Sequence, residues 1–441
     1  MRLPESAARC IAALEEAGFS CYAVGGCVRD DCLGLIPHDY DLCTSARPEQ
    51  TETVFAGYPL VLAGKKHGTV GVVMADGVIE ITTFRREGEY RDNRHPEWVD
   101  FVPDVEQDLA RRDFTVNAMA WSPKRGYADP FGGREDLQRK ILRAVGDPRQ
   151  RFQEDSLRIL RGVRFAVKYG LQVEPETEAA MLECAPLMDN LARERVFEEL
   201  CKLLPLVTAK DLQQFAPILG AVIPELKPLI GFDQRSPHHA YDLFTHVSYV
   251  VAGVPADLTL RWAALLHDVG KIPTFTRDET GRGHFYGHAG AGSEIANSVL
   301  LGLKAPTALR EQVVQLIDKH MTKLEPDRKK LRRWISRLGW ETVEGLLYLQ
   351  EADMGSKGTG KPGDQEQFVR IRQLLARIRE EDACLRVTDL AVNGHDLMAL
   401  GFQGREIGNM LNLLLEQVLE ENANNDKEAL LEIARQQREM L

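Results

Sequence analysis

The sequence predicts an α+β protein: a small, mostly β amino-terminal part followed by an almost wholly helical remainder. Through about residue 145, short apolar runs alternate with Gly, Pro and Asp (CYAVGG, YDLCTSA, YPLVLAG, TVGVVMADG, VIEITTF, MAWSP and ILRAVG), the pattern of strands closed by turns. From about Pro148 the period changes to that of a helix, beginning with RQRFQEDSLRILRGVRFAVKYG, where Ile159, Val163 and Val167 recur at four-residue steps. At 441 residues, 44% hydrophobic and 27% charged, the chain is globular in composition and too long for one core.

Punctuation divides it into four segments: 1–146, 147–232, 233–355 and 366–441. Pro224, Pro228 and Pro237 close the first helical bundle, and GSKGTGKPGDQ (355–365) is a Gly-rich break. GSKGTGK also fits the start of a phosphate-binding loop. Pro362 stands where a Ser or Thr hydroxyl would hold Mg²⁺, and helix rather than strand precedes it, so the segment reads as a linker. Beyond it, GREIGNMLNLLLEQVLEE is an amphipathic helix of a bundle.

Composition excludes several classes. With 55 basic and 66 acidic residues, a net charge of −11 and a pI near 5.6, the chain does not coat nucleic acid indiscriminately. No apolar run approaches the roughly 20 residues of a membrane-spanning helix, and MRLPESAARC lacks the features of a secretory signal, so a cytoplasmic protein with no membrane partner is expected. The eight cysteines are scattered, without a Cys-x-x-Cys pair, and read as reduced packing residues.

Residues 22–44, YAVGGCVRDDCLGLIPHDYDLCT, predict a strand, a Gly25–Gly26 turn, a helix start at Cys27 to Asp30, and a second strand carrying Asp39 and Asp41. This order suits a triphosphate. Glycines let the backbone approach, a helix N-terminus offers free N–H groups, and Arg29 adds a forked cationic contact. Side chains two apart on a strand share a face, so Asp39 and Asp41 can jointly grip divalent cations, with Glu80 as a third carboxylate. Two Mg²⁺ ions there would activate an attacking 3′-hydroxyl and stabilise leaving pyrophosphate. Taken separately, a Gly-Gly pair is usually a turn and Asp-x-Asp a solvated strand end; their ordered combination points to nucleotidyl transfer.

RRDFTVNAMAW (111–121) and RFQEDSLRILRGVRF (151–165), with GGCVRD and DYD, resemble the bacterial class II tRNA nucleotidyltransferase and poly(A) polymerase family. DPFGGREDL (129–137) and RERVFEEL (193–200) extend the resemblance over the first ~230 residues. It implies a polymerase-β-like head (1–146) followed by a helical neck and body (147–232) that selects the base and binds RNA. The implied reaction adds C, C and A to a tRNA 3′ end from CTP and ATP, without a template, using Mg²⁺. By resemblance, Asp39 and Asp41 hold the metal, Gly26, Arg29 and Arg112 contact the nucleotide, and Glu154-Asp155-x-x-Arg158 is the base-reading string, with Arg161 and Arg164 as further nucleotide contacts.

The base-reading assignment has its own physics. A carboxylate that accepts from an exocyclic amine, beside a guanidinium that donates to the ring nitrogen, admits cytosine and adenine and refuses guanine and uracil. Asp155 and Arg158, three apart on a helix, can supply that pair, and an intrahelical salt bridge is the plain alternative. A three-residue step turns a helix by about −60°, so Arg164 should point away from Asp155, toward phosphate. Residues 139–168 hold nine basic residues against three acids, which predicts a local basic track for primer phosphates. EGEYRDNRHPEWVDF (87–101), polar and strand-poor, resembles the flexible loop that such families use in switching from C to A addition.

His246, the pair His267–Asp268 in WAALLHDVGK, and Asp353 in YLQEADMG resemble the HD-domain phosphohydrolase pattern, with His288 and His320 as extra ligands and Lys271 as a phosphate contact. Imidazole and carboxylate together bind a divalent transition metal or Mg²⁺, which can activate water against a phosphate ester on an RNA end. The segment 233–355 is thus expected to be an HD domain, and 366–441 a C-terminal helical domain. Three alternatives to CCA addition stay open: an A-adding enzyme or poly(A) polymerase, which shares the same strings; an HD-type phosphodiesterase or phosphatase whose head merely docks RNA; and a pure RNA-binding module, which would need neither the paired carboxylates nor the glycine turn.

Overall fold

Each of the seven apolar runs contains a strand. In the computed structural model, which describes residues 1–88, 99–237, 240–358, 364–381 and 384–439, the strands are β1 (Cys21–Val24), β2 (Leu42–Thr44), β3 (Leu60–Val61), β4 (Thr69–Met74), β5 (Gly77–Thr83), β6 (Arg85–Glu87), β7 (Val99–Phe101), β8 (Ala120–Ser122), β9 (Gly126–Ala128), β10 (Ile141–Leu142), β11 (Gln172–Val173), β12 (Thr276–Arg277) and β13 (Gly283–His284). The chain folds as two compact units, residues 1–207 with 214–227, and residues 228–441 with 208–213.

The first unit is built on a seven-stranded sheet of order β3-β4-β5-β2-β1-β8-β9. Every neighbouring pair is antiparallel except β2 and β5, which run parallel with Leu42 opposite Ile81. One residue before that register, Asp41 falls beside Glu80. Tyr22, Val24, Cys43, Phe84, Leu109 and Ala120 form part of one core cluster of the head. The head's helices are α1 (Glu5–Glu16), α2 (Gly26–Cys32), α3 (Pro48–Val54), α4 (Val105–Ala110) and α5 (Gly133–Gln138). Helix α1 buries Ala7, Cys10, Ile11 and Leu14 at the spacing of one helical face.

The helical part of this unit comprises α6 (Pro148–Glu154), α7 (Leu157–Tyr169), α8 (Pro175–Cys184), α9 (Arg193–Leu203), α10 (Ala209–Gln214) and α11 (Ala216–Val222), with α10 straddling the division between units. The expected continuous helix from residue 149 is in fact two. Asp155 adopts an extended backbone (φ −144°, ψ 100°), and its Oδ1 accepts from the Leu157 N–H at 3.1 Å. A short acceptor side chain that satisfies a free N–H of the next helix ends the first one. Asp155 and Arg158 therefore do not share a helix.

The second unit contains α12 (Leu243–Gly253), α13 (Leu258–Leu266), α14 (His288–Gly302), α15 (Thr307–Lys319), α16 (Arg328–Leu338), α17 (Trp340–Gly355), α18 (Asp364–Glu381), α19 (Gly394–Ala399), α20 (Arg405–Leu419) and α21 (Lys427–Glu439). Helices α12, α13, α14, α15 and α17 pack around a core that includes Trp262, Val247, Leu265, Ile317 and Leu346. Helix α20 is the expected amphipathic bundle helix, burying Met410, Leu414, Leu415 and Val418.

All eight cysteines are free thiols and six are buried, as packing residues should be. Among the described residues no helix is long and apolar enough to cross a membrane. Of the expected switching loop, residues 89–98 lie outside the described residues. The polar flanks are not strand-poor, since β6 and β7 pair antiparallel with Arg86 opposite Asp100.

Candidate active sites

In the first unit the turn between β1 and α2 meets the entry to β2. The Val24 N–H donates to the Asp41 carbonyl at 3.0 Å, which sets Asp41 beside the Gly25–Gly26 turn. Asp39 and Asp41 stand in the loop just before β2 rather than on the strand itself, because ladder pairing begins at Leu42. Desolvation, then the charges of Glu80 and Asp39, raises the Asp41 carboxyl, while Arg112 opposes the rise. Both neighbouring carboxylates thus act on Asp41, and a hard divalent cation would relieve that repulsion, although among the described residues only the second unit brings three ligand atoms within 4.8 Å of one another.

Gly25 has φ +74°, and a Cβ there would lie 2.8 Å from Arg112 Nη1. The positive φ is what requires glycine here, while the guanidinium end could swing aside. Arg112 Nη2 approaches Asp108 Oδ2 at 3.3 Å, and its Nε is buried without a hydrogen-bond partner, a donor suited to an anionic ligand. Gly26, the sequence candidate, opens α2, and Arg29 is more enclosed than expected. It is 6% exposed, donates to Asn117 Oδ1 and to Asp30 Oδ1, and lies over the Tyr169 ring at 4.4 Å. Its guanidinium thus has its partners within the protein.

The base-reading string is also committed internally. Arg158 Nη1 lies 2.7 Å from Glu154 Oε2, and the same guanidinium donates to the Arg151 and Arg111 carbonyls, each at 3.1 Å. Asp155 Oδ2 pairs instead with Arg195 Nη2 at 2.8 Å, while Arg195 Nη1 is buried without a hydrogen-bond partner. Arg161 grips Asp113 Oδ2 through Nε at 2.9 Å and Nη2 at 2.7 Å. Burial would raise the Asp113 carboxyl, but Arg161 and Asn117 hold it at about 2. Arg164 Nε meets Glu199 Oε2 at 2.7 Å, one turn along α9 from the Arg195 that holds Asp155.

These pairs correct the expected basic track. Of the nine basic residues in 139–168, Arg139, Arg143, Arg149, Arg151, Arg158, Arg161 and Arg164 each face a carboxylate, several from outside that window. The stretch is an ion-pair lattice joining helices, and its formal charge overstates the field it projects. Asp113, Asn117, Arg195 and Glu199 were not singled out from the sequence. RRDFTVN and RERVFEEL contained the signal, since polar residues packed that closely among apolar ones need partners.

In the second unit six predicted residues converge. His246 comes from α12, His267 caps α13 and is followed by Asp268, His288 opens α14, His320 caps α15, and Asp353 lies on α17. All but Asp353 are buried. His246 Nε2 is 3.0 Å from Asp353 Oδ1 and 3.5 Å from Asp268 Oδ2; His267 Nε2 is 3.1 Å from Asp268 Oδ2; and His288 Nε2 is 3.6 Å from Asp268 Oδ1. Ligand atoms of His246, His267 and Asp268 lie within 4.8 Å of one another, and so do those of Asp268, His288 and His320.

The Nδ1 atoms of these histidines face carbonyls: Ser356 at 3.2 Å, Ala264 at 2.8 Å, Phe285 at 2.8 Å and Ile317 at 2.6 Å for His246, His267, His288 and His320 in turn. A carbonyl can only accept, so Nδ1 carries a proton in each ring; burial opposes charging His246, but its hydrogen bonds to Asp268 and Asp353 outweigh that and raise it to about 9, so its Nε2 must give up a proton before it can hold a cation. Burial pushes His320 down to about 4 and lowers His288, so both are neutral at pH 7. Their Nε2 atoms are nonetheless 3.2 Å apart. Two lone pairs at that distance, beside carboxylates, are the donor set of a cation, with carbonyls fixing ring orientation from behind. Lys271 Nζ lies 2.8 Å from Asp268 Oδ2 and donates to Gln234 Oε1 at 2.9 Å. Gly270 packs so tightly that a Cβ would meet the His288 carbonyl oxygen at 2.1 Å.

Comparison with known proteins follows the same division. Residues 21–143 match a family described as the Poly A polymerase head domain, and residues 284–434 one described as tRNA nucleotidyltransferase domain 2. The CCA-adding enzyme of Geobacillus stearothermophilus is 42% identical over 223 residues, spanning 48% of this chain and 55% of that one, so this alignment covers about half of either length. The CCA-adding enzyme of Streptococcus mutans is 33% identical over 430 residues, spanning 96% of this chain and 95% of that one. Among solved structures, the Bacillus stearothermophilus CCA-adding enzyme in complex with CTP superposes with a TM-score of 0.70 at 27% identity, covering 100% of both chains.

Proposed function

The chain belongs to the family of CCA-adding enzymes, and we propose on that basis that it extends the 3′ end of tRNA with C, C and A from CTP and ATP, without a template. The observation that carries this reading is the junction at Gly25. The Asp41 backbone is tied to Val24, Glu80 lies in register beside Asp41, and Arg112 reaches over the glycine turn with an unsatisfied donor. A triphosphate meets there a glycine turn that lets it approach the backbone, and a guanidinium. Asp39, Asp41 and Glu80 would hold Mg²⁺, which when bound lowers the cost of deprotonating the tRNA 3′-hydroxyl and of releasing pyrophosphate.

Base choice falls to Asp155 and Arg158. Each begins with an internal partner, so reading a base requires an exchange of Arg195 and Glu154 for the base edge. That exchange favours a base able to match both groups. The finer division assigns 1–146 to nucleotidyl transfer, 147–232 to base selection and RNA contact, 233–355 to the HD site and 366–441 to a helical tail. The cytoplasm, where tRNA ends are completed, is the matching compartment.

A second reading is A-addition alone, favoured by the head's match to a Poly A polymerase domain. The six-residue cluster of the second unit supports an additional activity, hydrolysis of a phosphate ester with a divalent metal held by His246, His267, Asp268 and Asp353 and aided by His288 and His320.

The test of the main reading is incorporation of labelled CTP into tRNA lacking its terminal CCA. Asp41→Ala should lose at least about 100-fold in rate, the several kcal/mol of a lost metal contact. It should still shift tRNA on a native gel, since no primer contact is removed. Addition that persists in Asp41→Ala would exclude this site.

A further inference from the structure

Helix α7 opens at the base-reading string and closes against the helix that follows the glycine turn. Its first turn carries Arg158, and its last residue, Tyr169, lies against Arg29 of α2. The Arg29 guanidinium carbon is 4.4 Å from the Tyr169 ring centroid and 5.4 Å from that of Phe165, one helical turn earlier. The two rings are 6.3 Å apart and 28° from parallel, so α7 presents one aromatic surface to the cation.

The Tyr169 hydroxyl makes a second hold. It donates to Asp30 Oδ1 at 3.2 Å, the same oxygen that accepts from Arg29 Nε at 2.9 Å. Tyr169 thus fixes Arg29 twice, directly by its ring and through Asp30 by its hydroxyl. A third hold comes from Asn117, whose Oδ1 accepts from Arg29 Nη1 and whose Nδ2 donates to Asp113 Oδ1 at 3.1 Å. The cation so held stands beside the turn, since a Cβ on Gly26 would lie 3.5 Å from Arg29 Nη2. Of the five N–H groups of a guanidinium, Asp30 takes two, through Nε and Nη2, and Asn117 takes one. Two are left for a phosphate oxygen.

We propose that Tyr169 is a positioning residue of nucleotidyl transfer, which presets Arg29 for the triphosphate and acts through Arg29 rather than on the nucleotide. An arginine already stacked and hydrogen-bonded has lost its rotamer freedom before the ligand arrives, so binding does not have to order it. One helix then carries the base reader at its start and the brace of the triphosphate site at its end. A residue that only filled space between α2 and α7 would need neither a ring laid against the guanidinium nor a hydroxyl aimed at the carboxylate that orients it. This inference rests on reading the Gly25–Gly26 turn as the triphosphate site.

Inorganic tripolyphosphate, which has no base, isolates this site from the base reader. On the full-length protein, with Mg²⁺ in excess and tRNA lacking its terminal CCA, it should compete with CTP. Tyr169→Leu keeps apolar packing and removes ring and hydroxyl. It should raise the inhibition constant of tripolyphosphate about ten-fold and raise KM for CTP and ATP by the same factor, with kcat and the choice among the four nucleotides within about two-fold of wild type. Tyr169→Phe, which keeps the ring, should stay within about three-fold of wild type. In an Arg29→Ala background Tyr169→Leu should add nothing, because its effect runs through that guanidinium. An unchanged inhibition constant in Tyr169→Leu, or an undiminished further loss in the Arg29→Ala background, would overturn the positioning role and leave the triphosphate reading standing. Failure of tripolyphosphate to compete with CTP in wild type would overturn both.

Discussion

Asp155 is held by Arg195 at 2.8 Å, and Arg158, three residues along, turns to Glu154 at 2.7 Å. The two groups suited to reading a base are therefore neighbours that do not pair with each other. Asp155→Ala should remove the acceptor for the exocyclic amine while leaving the glycine turn and Arg112 intact. Discrimination of CTP and ATP against UTP and GTP should fall by about 10- to 100-fold, the 1–3 kcal/mol of one bidentate contact. Initial rates with each of the four nucleotides check this, and an unchanged ratio would refute the pairing.

Gly25→Ala places a Cβ 2.8 Å from Arg112 Nη1 at a φ of +74°. That backbone (φ +74°, ψ −121°) lies outside the left-handed helical well and costs an L side chain on the order of 1–3 kcal/mol, and the guanidinium must also move. KM for CTP and for ATP should rise together, because the turn faces the triphosphate and not the base. A rise confined to one nucleotide would mean that Gly25 does not serve the shared phosphates.

Asp113 gives a pH signature. Its carboxyl is held at about 2 in the fold against the usual 3.8. A lowered carboxyl contributes stability that is complete above the unfolded value and is lost as pH falls through the folded one. The Arg161 pair therefore contributes on the order of 2 kcal/mol near neutrality, lost between about pH 4 and pH 2. Asp113→Asn should lower Tm at neutral pH and show a shallower decline across that window. Parallel curves for variant and wild type would remove Asp113 from the account.

In the second unit, Gly270→Ala forces a Cβ to within 2.1 Å of the His288 carbonyl oxygen and 2.4 Å of the Gly292 nitrogen. Both obstacles are backbone, so relief must shift the start of α14 and with it His288. Overpacking costs typically about 1–3 kcal/mol, and a rigid backbone obstacle places this variant at the upper end. Bound metal measured after equilibration with Mn²⁺ should fall, with a lower Tm. Full metal occupancy would show that His288 is not a ligand.

Much of this was legible in the sequence because the signals are local. Apolar runs bounded by Gly, Pro and Asp marked β1 to β5, β8 and β10 but not the short strands β6, β7, β9 and β11 to β13, and Gly-Gly followed by Asp-x-Asp marked the turn and carboxylates that β1 and β2 bring together. The six clustered residues of the second unit were legible one by one, since His267–Asp268 sits at the end of an apolar helix. What escaped was long-range pairing. Arg161 finds Asp113 48 residues away, Arg164 finds Glu199 35 away, and Asp155 finds Arg195 40 away. A charge count over 139–168 could not see those carboxylates. The helix break at Asp155 was hidden for a related reason: apolar periodicity continues across it, while the cap depends on one side-chain acceptor.

The most direct measurement is to incubate the purified protein with tRNA lacking its last three nucleotides, Mg²⁺, and CTP alone, ATP alone, or both, and to size the products on a sequencing gel. Two additions with CTP alone, and a third only when ATP is also present, is the expected result. A ladder grown from ATP alone, or no growth at all, would contradict CCA synthesis.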